Sequence, residues 1–590
     1  MTVRSAADQS RRAARRAAVR RGVSTVVVLG LTAALAAFGT DLAAQDGAEA
    51  APGTVVALGA RSTTLVCPGP VALSDPGSTD DEGFSSTPVE TRTSLRTTVV
   101  GEGVDAALFP FTGTDEESGA PVQSVAGALP SGQGSVDDLD DALVLRTSTG
   151  SDAGGDQAGV GVGASVASAT AAGDLQGVAA SGCQSPGISQ WLVGGSTELG
   201  TSARLVLQNP SRTPATVTIR VWGAGGELDL AGPATYLVPP SSQVSTLLEG
   251  LAAEQRRVSV HVSSTGALVT AYLQHNILDG LTPRGVDFVV PSDEPATAQT
   301  LVGLEVEASE ITDTGVAALR ILAPGDTAGT ATIRVLGADG QHVLRGAETV
   351  DLAAGAVTDV SLAGLPAGRY SVVVQADVPV VAGAQTTRTG VADPEQRLVG
   401  TPQDRAWVPA RHVTTAAARV VSVPARTAGV VVLTALPTDL DGGSTFAADV
   451  PIVYAADELP ADAAAVTDPA VTDPAVTDPA AAGWVPEERG ELRVLGADGA
   501  VLATVPVELA PGQTVAMDLS TLTDGAEVAA VVVVPDDAAG ADVPYTLDWS
   551  VLLSVPGIPG ATAVLVPVLP DGAGSEVLVR RSAAVGLRTD

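Results

Sequence analysis

One nine-residue pattern occurs three times in this chain, and repetition at domain-scale spacing restricts the fold to an array of similar units. Thr218-Ile219-Arg220-Val221-Trp222-Gly223-Ala224-Gly225-Gly226 returns as Thr332-Ile333-Arg334-Val335-Leu336-Gly337-Ala338-Asp339-Gly340, and again as Glu491-Leu492-Arg493-Val494-Leu495-Gly496-Ala497-Asp498-Gly499. Alternating apolar and polar residues run into glycines each time, which predicts a strand entering a turn. A second shared element follows at a near-constant offset: Val238-Pro239-Pro240-Ser241, Leu352-Ala353-Ala354-Gly355 and Leu509-Ala510-Pro511-Gly512. Another strand-like pattern comes after it, closing on Gly-Leu or Thr-Leu.

The spacing locates an insertion. Upstream prolines 210, 324 and 437 lie 114 and 113 residues apart, whereas Arg220, Arg334 and Arg493 lie 114 and 159 apart. The extra length falls between Pro437 and Glu491, where Val466-Thr467-Asp468-Pro469-Ala470 is repeated literally at 471–475 and 476–480. Proline at every fifth position suits neither a helix interior nor a central strand, so an extended or disordered loop is expected here.

Composition agrees with an all-β reading. Val-rich runs bounded by Gly, Pro or Asp recur, as at 203–208, 258–262, 268–273, 370–375 and 528–534, and few helical patterns compete with them. Several short strands per 114-residue period predict tandem β-sandwich, immunoglobulin-like domains. The expected division is a first β domain at 52–190, then repeats at 191–296, 297–405 and 406–590, the last carrying the insertion at 438–490.

Targeting gives the strongest functional expectation. Seven arginines within residues 1–21 precede an uncharged stretch, Gly22 to Thr40, and acidic residues follow from Asp41 in the linker 41–51. That asymmetry predicts a cytosolic N-terminus with the bulk of the chain exported. The stretch would reach roughly 28 Å as a helix, close to the hydrocarbon thickness of about 30 Å, so residues 22–40 read as a transmembrane helix. A cleaved signal sequence, with secretion, is the competing reading. The two cysteines, Cys67 and Cys183, stand in turn-like surroundings and predict one disulfide in an exported protein.

The net charge is −35, and every one of the 32 basic residues is arginine. Such an acidic chain repels nucleic acid, which is excluded as a partner. The four histidines, at 261, 275, 342 and 412, lack metal-ligand spacing. His261 and His275 have no histidine counterpart near Val373 and Thr387 of the next repeat, and a surface or edge position is expected for them. Acidic clusters at Asp80-Asp81-Glu82, 137–141 and Asp439-Leu440-Asp441-Gly442 lack the full calcium ligand series. No catalytic, cofactor or metal residues emerge, and a non-enzymatic role is expected. Glycan binding needs exposed aromatics, and Trp222 shares its slot with Leu336 and Leu495, which predicts packing. Trp191 and Trp407 read as one packing position repeated by duplication.

Residues 62–70 around Cys67, then Cys183 to Pro186, Trp191-Leu192-Val193-Gly194-Gly195-Ser196-Thr197 and Leu205-Val206-Leu207-Gln208-Asn209-Pro210, resemble an uncharacterised family of actinobacterial envelope proteins. The resemblance implies a membrane-anchored or secreted protein, often encoded near a cell-envelope glycosyltransferase, with no established catalytic residues. The resulting expectation is a scaffold or binding protein of the cell envelope whose partner is an envelope protein or polysaccharide. A secreted polysaccharide-binding or polysaccharide-modifying protein is the alternative.

Overall fold

The alternation that marks the repeats determines which side chains go inside. In Ala215–Gly223, Ala215, Val217, Ile219 and Val221 are buried while Thr216, Thr218 and Arg220 face out; Ala331, Ile333 and Val335 do the same in Gly329–Leu336. Each such Val or Ile contributes roughly 1.5–3 kcal/mol when fully buried, and the period of two makes a one-residue slip expose the whole set.

The computed structural model describes residues 54–57, 63–73, 91–111, 120–149, 161–344, 346–392, 400–412, 419–437, 452–453, 487–535, 545–568 and 576–579. Strands take 61% of these residues and helices 2%, so the chain is all-β. The expected transmembrane stretch 22–40 and the Val-Thr-Asp-Pro-Ala repeats lie outside the described residues. Among the described residues no helix is long and apolar enough to cross a membrane. Two units are distinguished. In one, Thr54–Ala57 pairs antiparallel with Glu576–Val579.

The other unit, residues 59–574, holds four pairs of sheets built to one plan and consistent with β-sandwiches. The first pair contains Thr64–Cys67, Arg92–Val100, Val104–Pro110, Gln123–Ala126, Gly132–Asp137, Leu143–Thr149, Gly161–Thr170 and Gly177–Gly182. Numbering those strands one to eight, the sheets run 1-6-3-4 and 5-2-7-8. The same two orders recur from Ser189–Val193 to Thr282–Val289, from Ala296–Val306 to Gln403–Pro409, and from Arg419–Ser422 to Ala563–Leu565. In the third pair, positions six and seven are one 22-residue strand, Gly368–Thr389, that passes from one sheet to the other. Strands Ser189–Val193, Ala296–Val306 and Gln403–Pro409 cross the positions at which the sequence pattern divides the chain.

Arg220, Arg334 and Arg493 all lie on third strands, opposite His261, Val373 and Val532 of the sixth strands. The second shared element is one turn used three times: its fourth residue has positive φ, at 46° for Ser241, 67° for Gly355 and 74° for Gly512. Glycine takes that conformation without strain, and the first copy places a serine there. The insertion returns one short strand, Ile452–Val453, which pairs with Gln341–His342.

Apolar cores fill each pair and continue across neighbours. Trp407 joins the core of the second pair, and Ala167, Val178 and Ala180 of the first pair join that of the fourth. The eighth strands make the junction in cyclic order. Gly177–Gly182 lies against Thr282–Val289, that strand against Gln403–Pro409, that one against Ala563–Leu565, and Ala563–Leu565 against Gly177–Gly182.

At this junction Asp404 is wholly buried. Its Oδ2 accepts from the Val178 and Thr562 amides, both at 2.9 Å, and its Oδ1 from the Val286 amide at 3.2 Å. One carboxyl thus binds backbone from the three other pairs. A Cβ on Gly177 would sit 2.3 Å from Asp404 Oδ1, which is why that strand carries glycine here. Burial pushes the Asp404 carboxyl up to about 7 against the pull of its backbone donors. Nearby Asp287 accepts from the Trp407 and Ala180 amides at 2.7 and 3.2 Å, and burial raises it well above the carboxylate range.

Candidate functional site

At or just past the ends of their eighth strands the four pairs share one more local feature, a proline. These are Pro186, Pro291, Pro409 and Pro567, preceded by valine in the last three. Proline has no amide proton to extend a ladder, and at Pro291 the chain changes partner, pairing as Pro291–Ser292 with Ser189–Val193. All four segments border one half-open pocket of about 320 Å³, together with Gln184, Gln190, Arg419, Asp548 and Trp549.

The frame is fourfold in plan, but its polar residues differ. Two positions after the proline stand Asp293 in the second pair and Arg411 in the third, and Arg411 Nη1 reaches Asp293 Oδ1 at 3.4 Å. The backbone of Arg411 is held on both sides, its amide donating to Thr300 O at 2.7 Å and its carbonyl accepting from the Thr300 amide at 2.9 Å. Asp293 also accepts from the His412 amide at 2.7 Å, and His412 Nδ1 lies 3.6 Å from the same carboxylate. Across the pocket Arg419 pairs with Asp548 at 3.1 Å, both largely buried. Glu294 accepts from the Trp191 indole at 3.2 Å.

Several buried atoms around this pocket are unsatisfied. Arg411 Nε and Nη2, His412 Nε2, Ser185 Oγ and Gln190 Oε1 have no hydrogen-bond partner among the described residues. Buried polar atoms are normally paired; these have almost no accessible surface and so do not open onto the pocket. Ser185 Oγ is among them, so no base activates that hydroxyl. The pocket is lined by polar side chains and by charged ones of both signs.

The structure brings Cys67 and Cys183 together as a disulfide, with Cα atoms 4.2 Å apart and both residues fully buried. It joins the first strand of the first pair to the segment leaving the eighth, next to Gln184 and Ser185 of the pocket. Among the described residues no group of three or more His, Cys, Asp or Glu could hold a metal; two of the acidic clusters, at 80–82 and 439–442, lie outside them.

The histidine expectation needs correction. His275 is neither surface nor edge: it is buried, its Nδ1 accepts from the Trp407 indole at 3.3 Å, and burial lowers it to about 3. His261 is half-buried, stacked on Trp191 at 4.3 Å, and lowered chiefly by burial. Trp191 and Trp407 are not equivalent either, standing on a first strand and an eighth strand. Trp222 is buried as expected, 5.2 Å from Trp191. Trp407 and Trp549 are buried too, so none of these four offers a face to a glycan.

Sequence reasoning missed Arg411, Asp293 and the pocket. The Val-Pro pairs at 290–291, 408–409 and 566–567 stand at equivalent strand ends, but Val-Pro also occurs elsewhere, as at 378–379, 423–424 and 555–556, so the pair alone does not single them out.

A model for a family of unknown function (DUF5719) matches residues 134–458, more than half of the chain, and the chain belongs to that family. The matched region includes Asp404 and, at the pocket, Asp293 and Arg411; it excludes Cys67 and Asp548. No curated protein and no solved structure matches the chain.

Proposed function

We propose that this member of a family of unknown function is an exported, non-enzymatic binding or scaffold protein of the cell envelope. Residues 22–40 hold it in the membrane as a single helix, and four immunoglobulin-like sandwiches stand outside. The observation that carries the binding role is the half-open pocket at the four strand ends, lined by polar and charged side chains from all four sheet pairs. The Cys67–Cys183 disulfide supports the location, because such bonds persist in oxidising compartments. The resemblance to actinobacterial envelope proteins points the same way and supports a role accessory to envelope polysaccharide assembly. An acidic exported region keeps nucleic acid out of the set of partners.

Fractionation of cells with intact-mass measurement tests the location: an intact chain in the membrane fraction agrees with it, and a cytosolic chain with free thiols overturns it. A pull-down from envelope extract with the full chain tests the role. A retained protein partner is the expected result, a retained glycan supports the polysaccharide-binding alternative, and time-dependent release of reducing ends from envelope polysaccharide replaces both with an enzyme.

A further inference from the structure

We propose that the face joining the first sheet pair to the fourth is an interface for a second copy of this chain, which a single chain fills with its own two ends: once opened, it takes up the same face of another copy. The inference goes beyond the binding role above and is independent of what the pocket holds. It starts from head-to-tail packing of the four pairs, in which the second and seventh strands of each pair meet the preceding pair in or next to its first and sixth strands. Arg204 and Gln274 of the second pair donate to Ala72 O of the first, both at 2.7 Å. Arg320 of the third donates to Gly195 O and Val258 O of the second, at 2.5 and 3.1 Å. Thr434 of the fourth lies 2.5 Å from Ser371 of the third, hydroxyl to hydroxyl.

The first pair closes on the fourth in the same way. Ser422 Oγ, on the fourth pair's first strand, stands 2.9 Å from both Thr98 Oγ1 and Gly163 O, on the second and seventh strands of the first pair. Arg96 of that second strand pairs with Glu527 at 2.6 Å. Turns repeat the pattern. Between the third and fourth strands of the third pair, Gly337 O and Ala338 O accept from the Thr514 amide and the Gln513 side chain, both at 3.0 Å, past the fourth strand of the next pair. The equivalent turn of the fourth pair accepts at Gly499 O from Ser131 Oγ at 3.1 Å, past the fourth strand of the first. Head-to-tail contacts of this kind make a ring when the rotation closes and link separate molecules when it does not.

Of the four faces this one is built to open. The others are bridged by peptide, at 183–188, 290–295 and 410–418, whereas the first and fourth pairs are joined only through the rest of the ring. The first pair's side of the face is chiefly polar or without a side chain, as at Ser94, Arg96, Thr98, Gly161 and Gly163, and tolerates water when uncovered. By contrast the third pair meets the second with Leu322, Val357 and Val381 against Trp191 and Trp222. The fourth pair's side carries an apolar cluster, Val420, Leu495, Ala530 and Val532, which an open chain drives back under cover. A first pair covers it, whether its own or that of a second copy. The fit is close: a Cβ on Gly161 would stand 2.5 Å from Val420 Cγ2, and one on Gly163 2.9 Å from Val420 O. Neither glycine has positive φ, so the approach of the fourth pair, not the backbone conformation, requires glycine there.

The test uses the full chain in detergent and two variants of it, with mass read by analytical ultracentrifugation. Gly163→Leu damages the first pair's side of the face and leaves the fourth pair's side sound; Ser422→Arg does the reverse. Wild type and each variant alone are expected to sediment as one chain. Mixed at about 0.1 mM each, within about tenfold of the millimolar effective concentration that a short tether supplies, the two variants hold one undamaged half of the face each and are expected to form a complex of twofold mass containing both. Should Gly163→Leu or Ser422→Arg fail to fold by near-ultraviolet circular dichroism, Gly161→Leu or Val420→Arg damages the same side. A mixture of folded variants that keeps the single-chain mass overturns the proposal. So does twofold mass in either variant alone, because that association would not use the complementary halves, and so does a wild type that is not a single chain.

Discussion

Strand Gln403–Pro409 ends in two different ways. At its start Asp404 is buried and saturated, its two oxygens taking backbone amides from the first, second and fourth sheet pairs. Just past its end Arg411 is also largely buried, yet two of its three nitrogens have no partner among the described residues. Both side chains lie where neighbouring pairs meet. One has its hydrogen-bonding capacity met and the other does not, and the energetic consequence of removing each side chain differs accordingly.

If that distinction is right, changes at the two ends must have opposite consequences for stability. The largest effect lies in the covalent support of the pocket end. Cys67 and Cys183 are 116 residues apart in sequence, and closing a loop of that length stabilises by about 4–5 kcal/mol in the chain-entropy model. Replacing both by serine is expected to cost about that much in denaturant unfolding. Two free thiols on alkylating the unreduced, unfolded protein would remove the bond and this expectation together.

Next comes Asp404→Ala. It leaves the amides of Val178, Val286 and Thr562 facing a void in the junction, and unsatisfied buried donors cost about 1–3 kcal/mol each without simple additivity. A loss of about 3 kcal/mol is expected from chemical denaturation, with the four pairs loosening together. A loss under about 1 kcal/mol would show that the junction is held by its apolar contacts alone, and the contrast with Arg411 would disappear.

The pH dependence isolates the same carboxyl. Its folded value of about 7 lies above the ordinary carboxylate value of 3.8, so the folded state holds a proton that the unfolded state has released. The stabilisation is full below about pH 4 and is lost as pH rises through about 7. His275, lowered from 6.5 to about 3, acts in the opposite sense but only below about 6.5. Between about pH 6.5 and 8.5 the melting temperature should therefore fall by about one to two degrees. Asp287 is raised in the same direction. Asp404→Asn, which has no proton to lose, should show a flatter profile over that window; an equal slope would assign the effect elsewhere.

How much of this was legible in the sequence follows from how local each signal is. Strand alternation and the turn at Ser241, Gly355 and Gly512 depend on neighbouring residues, and the equivalence of Arg220, Arg334 and Arg493 could be read directly. The first sheet pair shares the plan but not the signature: its third strand, Val104–Pro110, carries neither the arginine nor the Gly-Ala-Asp-Gly turn, so composition alone could not mark it as a fourth copy. Asp404 and Arg411 were illegible for a different reason. Their surroundings are assembled from residues more than a hundred positions away, such as Val178, Val286, Asp293 and Asp548, and nothing in the local pattern around Asp404 distinguishes a buried carboxylate from a solvated one. Trp191 and Trp407 misled because both precede valine-containing runs, while topology puts one on a first strand and the other on an eighth.

The smallest expected effect is the most discriminating. Arg411→Met removes a guanidinium that makes one long ion pair, 3.4 Å to Asp293, and leaves Asp293 its 2.7 Å bond from the His412 amide. It also removes two buried donors that the folded chain does not satisfy, and replacing an incompletely paired buried charge with an apolar side chain of similar length is often neutral or stabilising. The expected change in unfolding free energy is within about 0.5 kcal/mol of zero, or a small gain, where Asp404→Ala loses about 3. A loss comparable to that of Asp404→Ala would mean that Arg411 holds the junction as Asp404 does, and the pocket would then be a structural seam. A neutral result separates the two ends of the strand into one residue that holds the junction and one that does not.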